Sequence, residues 1–394
     1  MKSRFLKPPP DIGPNSREGD RCFSTIFLGE QFMKIKEIRV ALYKIPLEVA
    51  LSDSTHGEMP FFELIAVRIK DEDGLEGVGY TYSVGVGGRA IYSLVEDDLK
   101  PILMNQDSSR IEHLWQKMWW RLHFSGRGGH ASFAIAAVDI ALWDIAGKRA
   151  KLPWWRLFGG NNPRVKVYAG GVDLYFTIDQ LKEQAMGFLT KGFRAIKMKV
   201  GRPRLSEDVA RVKAIRELLG PDMPLMVDAN MGWTAEQAIQ ATKAFADYGV
   251  YWLEEPTIPD DLAGHIKIMA GGTLPIATGE NFHTLYEFQN FITAGAVSFP
   301  EPDLATCGGV SVWMKVARLA EAHNLPITTH GVHDLHVHLL AAIPNASYLE
   351  AHGFGLENYM ANPMRIADGE TIAPERPGHG VELDWERLKQ QKIL

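Results

Sequence analysis

Residues 195–200 read Ala-Ile-Lys-Met-Lys-Val. Apolar residues alternate with two lysines, which is the period of a β-strand, and side chains two apart on a strand share a face. Lys197 and Lys199 therefore point one way, and Ile196, Met198 and Val200 the other. Taken alone, this is an edge strand with one solvated face, because lysines are seldom buried. The chain that follows replaces that reading.

Downstream, short apolar runs each close on a polar residue. Residues 225–227 end in Asp228, 250–253 in Glu254, 274–279 in Glu280, 325–329 in His330 and 347–349 in Glu350, while 296–299 lead to Asp303. Counted from Lys199, these polar residues recur at intervals of 20–29 residues. One βα unit takes about that length, with about 5 residues of strand, about 12 of helix and two short loops. Helical patterns fill the intervals at 206–219, 235–248, 261–270, 284–294 and 310–323. With 165–169 as the first strand there are eight, the count of a (β/α)8, or TIM-type, barrel, whose chemistry sits at the C-terminal ends of its strands. The polar residues stand at those ends.

The expected fold is thus α/β, a modified TIM barrel over 153–357 preceded by an α+β capping domain over 33–152. Three strand-like runs (35–43, 61–69 and 75–83), with a hairpin turn at Asp71-Glu72-Asp73-Gly74, are followed by helical patterns at 90–104, 109–122 and 131–150. Strands followed by helices make such a domain. The Pro-rich tail over 358–394 is expected to return to it. Loops at 50–60, 83–89 and 123–130 face the barrel mouth on this plan, where functional loops are common. Residues 1–32 mix Pro8, Pro9, Pro10 and Pro14 with charges and lack the apolar core of a signal peptide. A disordered leader, or a natural start at Met33, is expected.

The net charge of −6 argues against nucleic acid as a partner, and no uninterrupted apolar run approaches the roughly 20 residues of a membrane span. Cys22 and Cys307 give no disulfide framework, so a reducing cytoplasm is expected. Cys307 reads as a small filler. A homo-oligomer acting on a small-molecule carboxylate is the expected form.

Three carboxylates on consecutive strands, Asp228, Glu254 and Glu280, can meet because neighbouring strands lie about 4.8 Å apart. Clustered anions need a cation, and all-oxygen ligation suits Mg2+ or Mn2+ rather than zinc. Lys197 and Lys199 flank such an ion on one side, and Asp303, His330 and Glu350 on the other. That geometry fits abstraction of a proton next to a carboxylate, with the metal holding the enediolate charge. His330, His333, His336 and His338 raise a zinc reading. Only His330 closes a strand, so core or surface roles are expected for the other three.

The motifs Lys197-Met198-Lys199, Asp228-Ala229-Asn230, Glu254-Glu255-Pro256, Gly279-Glu280-Asn281, Pro302-Asp303 and His330-Gly331, together with the helix over 137–148, resemble the enolase superfamily, mandelate racemase subgroup. The spacing is especially similar to the talarate/galactarate dehydratase branch. The resemblance runs from Met33 to the C-terminus. It implies metal ligation by Asp228, Glu254 and Glu280, Lys199 as one base, and Lys197 beside the substrate carboxylate. It further implies His330 paired with Asp303 as the opposite base or acid, Glu350 as a hydrogen-bond donor to that carboxylate, and Asn230 touching the α-hydroxyl. Glu301 departs from the glutamine common in that family and brings a further carboxylate toward the His–Asp pair.

The resemblance implies a Mg2+-dependent acid-sugar dehydratase that forms a 2-keto-3-deoxy acid. The alternatives are a racemase or epimerase of an α-hydroxy acid and, outside catalysis, a sugar-acid binding protein. The complete set of bases and carboxylates weighs against the last. His56, Arg89 and Arg127, from the capping loops, are expected to read the distal end of the substrate, an arginine there suiting a diacid.

Overall fold

The computed structural model describes residues 33–55, 57–352 and 355–394. The leader, Cys22 and His56 lie outside the described residues.

β1 (Ile35–Asp53) and β2 (Gly57–Asp71) pair antiparallel along almost their whole length, with a register shift between Pro46 and Leu51. The stretch read as a loop over 50–60 is therefore largely ladder. β3 (Glu76–Ser83) completes the sheet on the other edge of β2. The turn between β2 and β3 is held by Asp71, whose Oδ1 accepts from the backbone of Asp73 and Leu75.

Against this sheet lies the helix His130–Ala150, apolar on nearly every face and buried accordingly. By length and composition alone it could cross a membrane, and its burial marks it instead as a core helix. Gly77 and Gly79 on β3 admit its backbone, since a methyl group at either would strike the carbonyl oxygen of Ala141 or Ala137. The helix Ile111–Leu122 and a continuous helical run over 88–103, with a π-turn at Leu94–Leu99, complete the layer.

The parallel strands follow in chain order: β4 (Arg164–Gly170), β5 (Ile196–Lys199), β6 (Leu225–Asp228), β7 (Val250–Glu254), β8 (Ile276–Thr278), β9 (Phe299–Pro300) and β10 (Tyr348–Ala351). β10 pairs with β4, so the sheet curls round on itself. The run over 325–329 is not a full strand. Pro326 has no N–H to give a ladder, and the gap between β9 and β10 is spanned by a bridge from Ile327 to Ala346 and by Thr328 N donating to Pro300 O at 3.1 Å.

β11 (Glu370–Ile372) pairs antiparallel with the outer end of β4. The chain then returns to the first sheet, where Leu42 N donates to Leu394 O at 3.1 Å. The helix Ile178–Thr190 between β4 and β5 was not anticipated, although Thr177 and Gln180 form a capping box at its start.

Candidate active site

Every residue of β5 is buried, and the edge-strand reading of the two lysines fails. Lys197 and Lys199 point into the barrel, where burial without anionic partners would be prohibitive. Lys197 Nζ contacts the Glu254 carboxylate and lies 2.7 Å from Glu350 Oε1 and 3.5 Å from Asp228 Oδ2. Lys199 Nζ donates to Asp228 Oδ2 at 2.5 Å.

Asp228, Glu254 and Glu280 close β6, β7 and the run through β8, and each offers one oxygen within 4.8 Å of the others. Burial pushes Glu254 well above its usual range, and Asp228 adds to the push against the pull of Lys197. Glu280 Oε2 is buried and receives no hydrogen bond. Three hard oxygens, one of them unsatisfied, fit an octahedral Mg2+, whose ligands at about 2.1 Å stand about 3 to 4 Å apart. The backbone here is strained, with Asn230, Met231 and Glu255 at φ of 40°, 63° and 40°. Side-chain-bearing residues hold such angles where the surroundings impose them, and functional sites are where this clusters.

His330 Nε2 lies 3.4 Å from Glu280 Oε2, so the two candidate bases flank the carboxylates, Lys199 at Asp228 and His330 at Glu280. His330 Nδ1 is 3.1 Å from Asp303 Oδ2, which also accepts from Tyr82 Oη at 2.6 Å. Tyr82 Oη is 3.2 Å from the same ring nitrogen. Gly331 has φ of +78°, and a Cβ there would collide with the Asp303 carboxylate and the Tyr82 hydroxyl. Burial opposes a charge on His330, but Glu280, Asp303 and Glu350 outweigh it and raise its pKa to about 10.

Burial lowers the proton affinity of Lys199, and Lys197 lowers it too, as expected of a positive neighbour, but contact with Asp228 outweighs both and the net shift is upward. A cation ligated by Asp228 competes for that same carboxylate. Glu350 was to donate a hydrogen bond. Burial favours its protonated form, yet Lys197 and His352 hold it well below the usual carboxylate range, as an acceptor.

The strand ends open into a cavity of about 320 Å³, within the range of small-molecule sites. Lys199, Asn230, Glu280, His330 and Glu350 line it. Asn230 Nδ2 lies 3.4 Å from Asp228 Oδ2 at its edge. Arg89 and Arg127 are exposed and are not among the lining residues. Glu301 does not touch the His330–Asp303 pair. Its Oε1 accepts from Tyr168 at 3.2 Å in the barrel interior, and burial together with Glu254 raises it well above the usual range.

His336 and His338 are core residues. His336 Nε2 accepts from Leu304 N at 3.0 Å and His338 Nε2 lies 3.0 Å from His379 O, while burial lowers the two rings to about 4 and about 3. His333 pairs with Asp334, and Cys307 is a buried filler. Tyr82, His283, Phe133 and His352 line the cavity without having been singled out.

Residues 35–159 match the model of the mandelate racemase/muconate lactonizing enzyme N-terminal domain, and residues 180–387 that of the enolase C-terminal domain-like family. The chain belongs to the enolase superfamily. It is 58% identical over 354 residues to the 3,6-anhydro-α-L-galactonate cycloisomerase of Streptomyces coelicolor, a match spanning 90% of this chain and 98% of that one. It is 35% identical over 356 residues to the L-talarate/galactarate dehydratase of Salmonella typhimurium, covering 89% of each. The crystal structure of a racemase from Streptomyces coelicolor A3(2) with bound magnesium has a TM-score of 0.90 and 56% identity, covering 91% of this chain and 100% of that one. The dehydratase branch favoured by spacing is thus the more distant of these relatives. Mg2+ is the cofactor of the superfamily, and acid-sugar chemistry is common to both curated relatives.

Proposed function

We propose that this enzyme opens the ether ring of a 3,6-anhydro sugar acid by β-elimination, giving a 2-keto-3-deoxy acid. The observation that carries the proposal is the wall of the cavity away from the strand ends. Met59, Val84, Val86 and Phe133 give it an apolar face beside the neutral polar groups of Ser83 and Thr306 and the rings of His130 and His283, and among the described residues no arginine or lysine lines it there. The second carboxylate of a diacid would be desolvated there without a partner, at a cost of several kcal/mol. An open-chain hexonate carries two more hydroxyls than its 3,6-anhydro form, and any left unpaired would cost about 1–3 kcal/mol. The ether ring replaces those two by one ether oxygen and presents a methylene, which suits the apolar face. The 58% identity to a cycloisomerase named for such a substrate supports the same reading.

Asp228, Glu254 and Glu280 would hold Mg2+. When bound, it supplies Lewis-acid polarisation of the substrate carboxylate and makes the α-proton more acidic. Lys199 or His330 takes the C2 proton, according to the side it faces. The C2–H electron pair forms the C2–C3 double bond as the C3–O bond breaks, and that bond's electron pair stays on the ring oxygen. A departing alkoxide is a poor leaving group, so it is protonated as it goes. His330 is placed to do this, with Asp303 orienting the ring and stabilising its charged form, as in other His–Asp pairs. The former ring oxygen becomes a hydroxyl, and the enol tautomerises to the 2-keto acid. No atom is lost.

The second reading is dehydration of an open-chain acid sugar, supported by the 35% identity to a talarate/galactarate dehydratase. It uses the same first half-reaction, but the β-oxygen leaves as water. The test is a semicarbazide assay for keto acids with proton NMR in D2O, run with Mg2+ on 3,6-anhydro-L-galactonate and on open-chain mono- and diacids. A keto acid of unchanged mass from the anhydro acid is expected. A keto acid formed only from open-chain substrates would establish dehydration instead. Deuterium entering C2 with inversion and without a keto acid would establish a racemase.

A further inference from the structure

Two residues beyond Glu350, His352 sits on the same side of the extended chain, and it lines the cavity. Its Nε2 lies 3.3 Å from Glu350 Oε2, and His330 Nε2 lies 4.0 Å from that same oxygen. The two imidazole rings are 5.3 Å apart. We infer that His330, Glu350 and His352 form a second cation site, of the zinc class and distinct from the three-carboxylate site, and that filling it arrests the reaction.

The three ligand atoms all lie within 4.8 Å of one another. A tetrahedral zinc ion with nitrogen and oxygen ligands at about 2.0–2.1 Å holds them about 3.3–3.4 Å apart. One pair already has that separation, the 4.0 Å pair needs a shift of a few tenths of an ångström on each side, and the two imidazole nitrogens, within 4.8 Å, have to close by at most about 1.4 Å. The two oxygens of Glu350 have separate roles. Oε1 is 2.7 Å from Lys197, while Oε2 is buried and receives no hydrogen bond of good geometry.

His330 is also oriented as a ligand. Its Nδ1 is 3.1 Å from Asp303, the carboxylate–histidine arrangement that fixes a metal-binding imidazole with its other nitrogen toward the ion. Two imidazoles and one carboxylate, with a side open to the cavity, select a borderline cation, whereas Asp228, Glu254 and Glu280 select a hard one. His330 Nε2 is 3.4 Å from Glu280 Oε2, so the sites adjoin. Paired ions about 3.5–4 Å apart are known in carboxylate-rich sites. The arrest rests on the proposed role of His330, because a ligated Nε2 can neither take nor give a proton. The binding itself does not depend on that role.

The test titrates the full-length, Mg2+-saturated protein with Zn2+ by calorimetry and with Co2+ by visible absorption. One Zn2+ per chain is expected with Mg2+ retained, together with the intense bands of tetrahedral Co2+. His352→Asn should weaken Zn2+ binding and Zn2+ inhibition together by at least about 10-fold, leaving Mg2+ affinity unchanged. Displacement of Mg2+ one for one, a weak octahedral Co2+ spectrum, or wild-type Zn2+ affinity in His352→Asn would each overturn the site. The Co2+ spectrum needs no variant and so stands even if His352→Asn folds poorly. Zn2+ bound as expected with turnover unaffected would uphold the site and overturn both the arrest and His330 as the working base.

Discussion

Replacing Tyr82 with phenylalanine removes one oxygen atom and leaves the buried ring in place. The lost hydroxyl donates to Asp303 Oδ2 at 2.6 Å in a buried setting. A hydrogen bond to a charged acceptor contributes about 1.5–3 kcal/mol. Since about 1.4 kcal/mol is a factor of ten in rate, the ceiling is roughly 150-fold. Asp303 keeps Ala305 N on Oδ1 and His330 Nδ1 on Oδ2, so part of its orientation survives. A fall in kcat of about 10- to 100-fold is expected, with little change in KM or Mg2+ affinity, because the lost hydroxyl donates to Asp303, which is outside the three-carboxylate cluster. Steady-state keto-acid formation across a range of pH, with calorimetric Mg2+ titration beside it, measures this. Unchanged kcat would make the hydroxyl a bystander. A loss of Mg2+ binding parallel to the loss of kcat would show a structural role and refute the reasoning.

Lys199→Met is expected to abolish turnover while Mg2+ still raises the melting temperature, ligand at 100 Kd adding about 2.7 kcal/mol; wild-type turnover in that variant would remove Lys199 as a base. Burial raises the Asp139 carboxyl from 3.8 to about 7, against the hydrogen bonds from Ser311. The folded state therefore holds this proton more tightly than the unfolded state. Its stabilising contribution is full below about pH 4 and is lost as pH rises through 7, a swing on the order of 4 kcal/mol. Asp139→Asn should flatten the decline in stability between pH 5 and 8 measured by urea unfolding, and an unaltered slope would show that Asp139 does not titrate there.

The clustering of the three candidate metal carboxylates was legible because a strand that ends abruptly on an acid, repeated at a βα interval, leaves little freedom in where that acid goes. Glu350 and His330 were legible for the same reason. His352 carried the same signal, since it shares a strand face with Glu350, but it lies past the apolar run that drew attention. Tyr82 carried none, because its partner Asp303 is 221 residues away, in the loop after β9. The strand over 325–329 was overread through its apolar content, although Pro326 removes a ladder donor. Arg89 and Arg127 were misjudged because a loop's composition does not say which way its side chains face. Glu301 looked like a disturbance beside Asp303, yet the chain has left β9 at that point and the Glu301 side chain turns into the barrel interior toward Tyr168.

The sheet and helices of the cap reach the barrel's strand-end loops at several points. Ser54 Oγ donates to the carbonyl oxygens of Ala229 and Asn230 at 2.8 and 2.9 Å, Thr81 Oγ1 to that of Ala305 at 2.7 Å, and Trp115 Nε1 to that of Gly308 at 2.8 Å. These are the loops that follow Asp228, a candidate metal ligand, and Asp303, the acid behind His330. A chimera that exchanged this cap for a relative's in order to change what fits would therefore also change the basicity and alignment of the candidate catalytic groups. Selectivity and reactivity in this enzyme are inherited together, and a cap graft would have to carry the contacts of Ser54, Thr81 and Tyr82 with it to separate them.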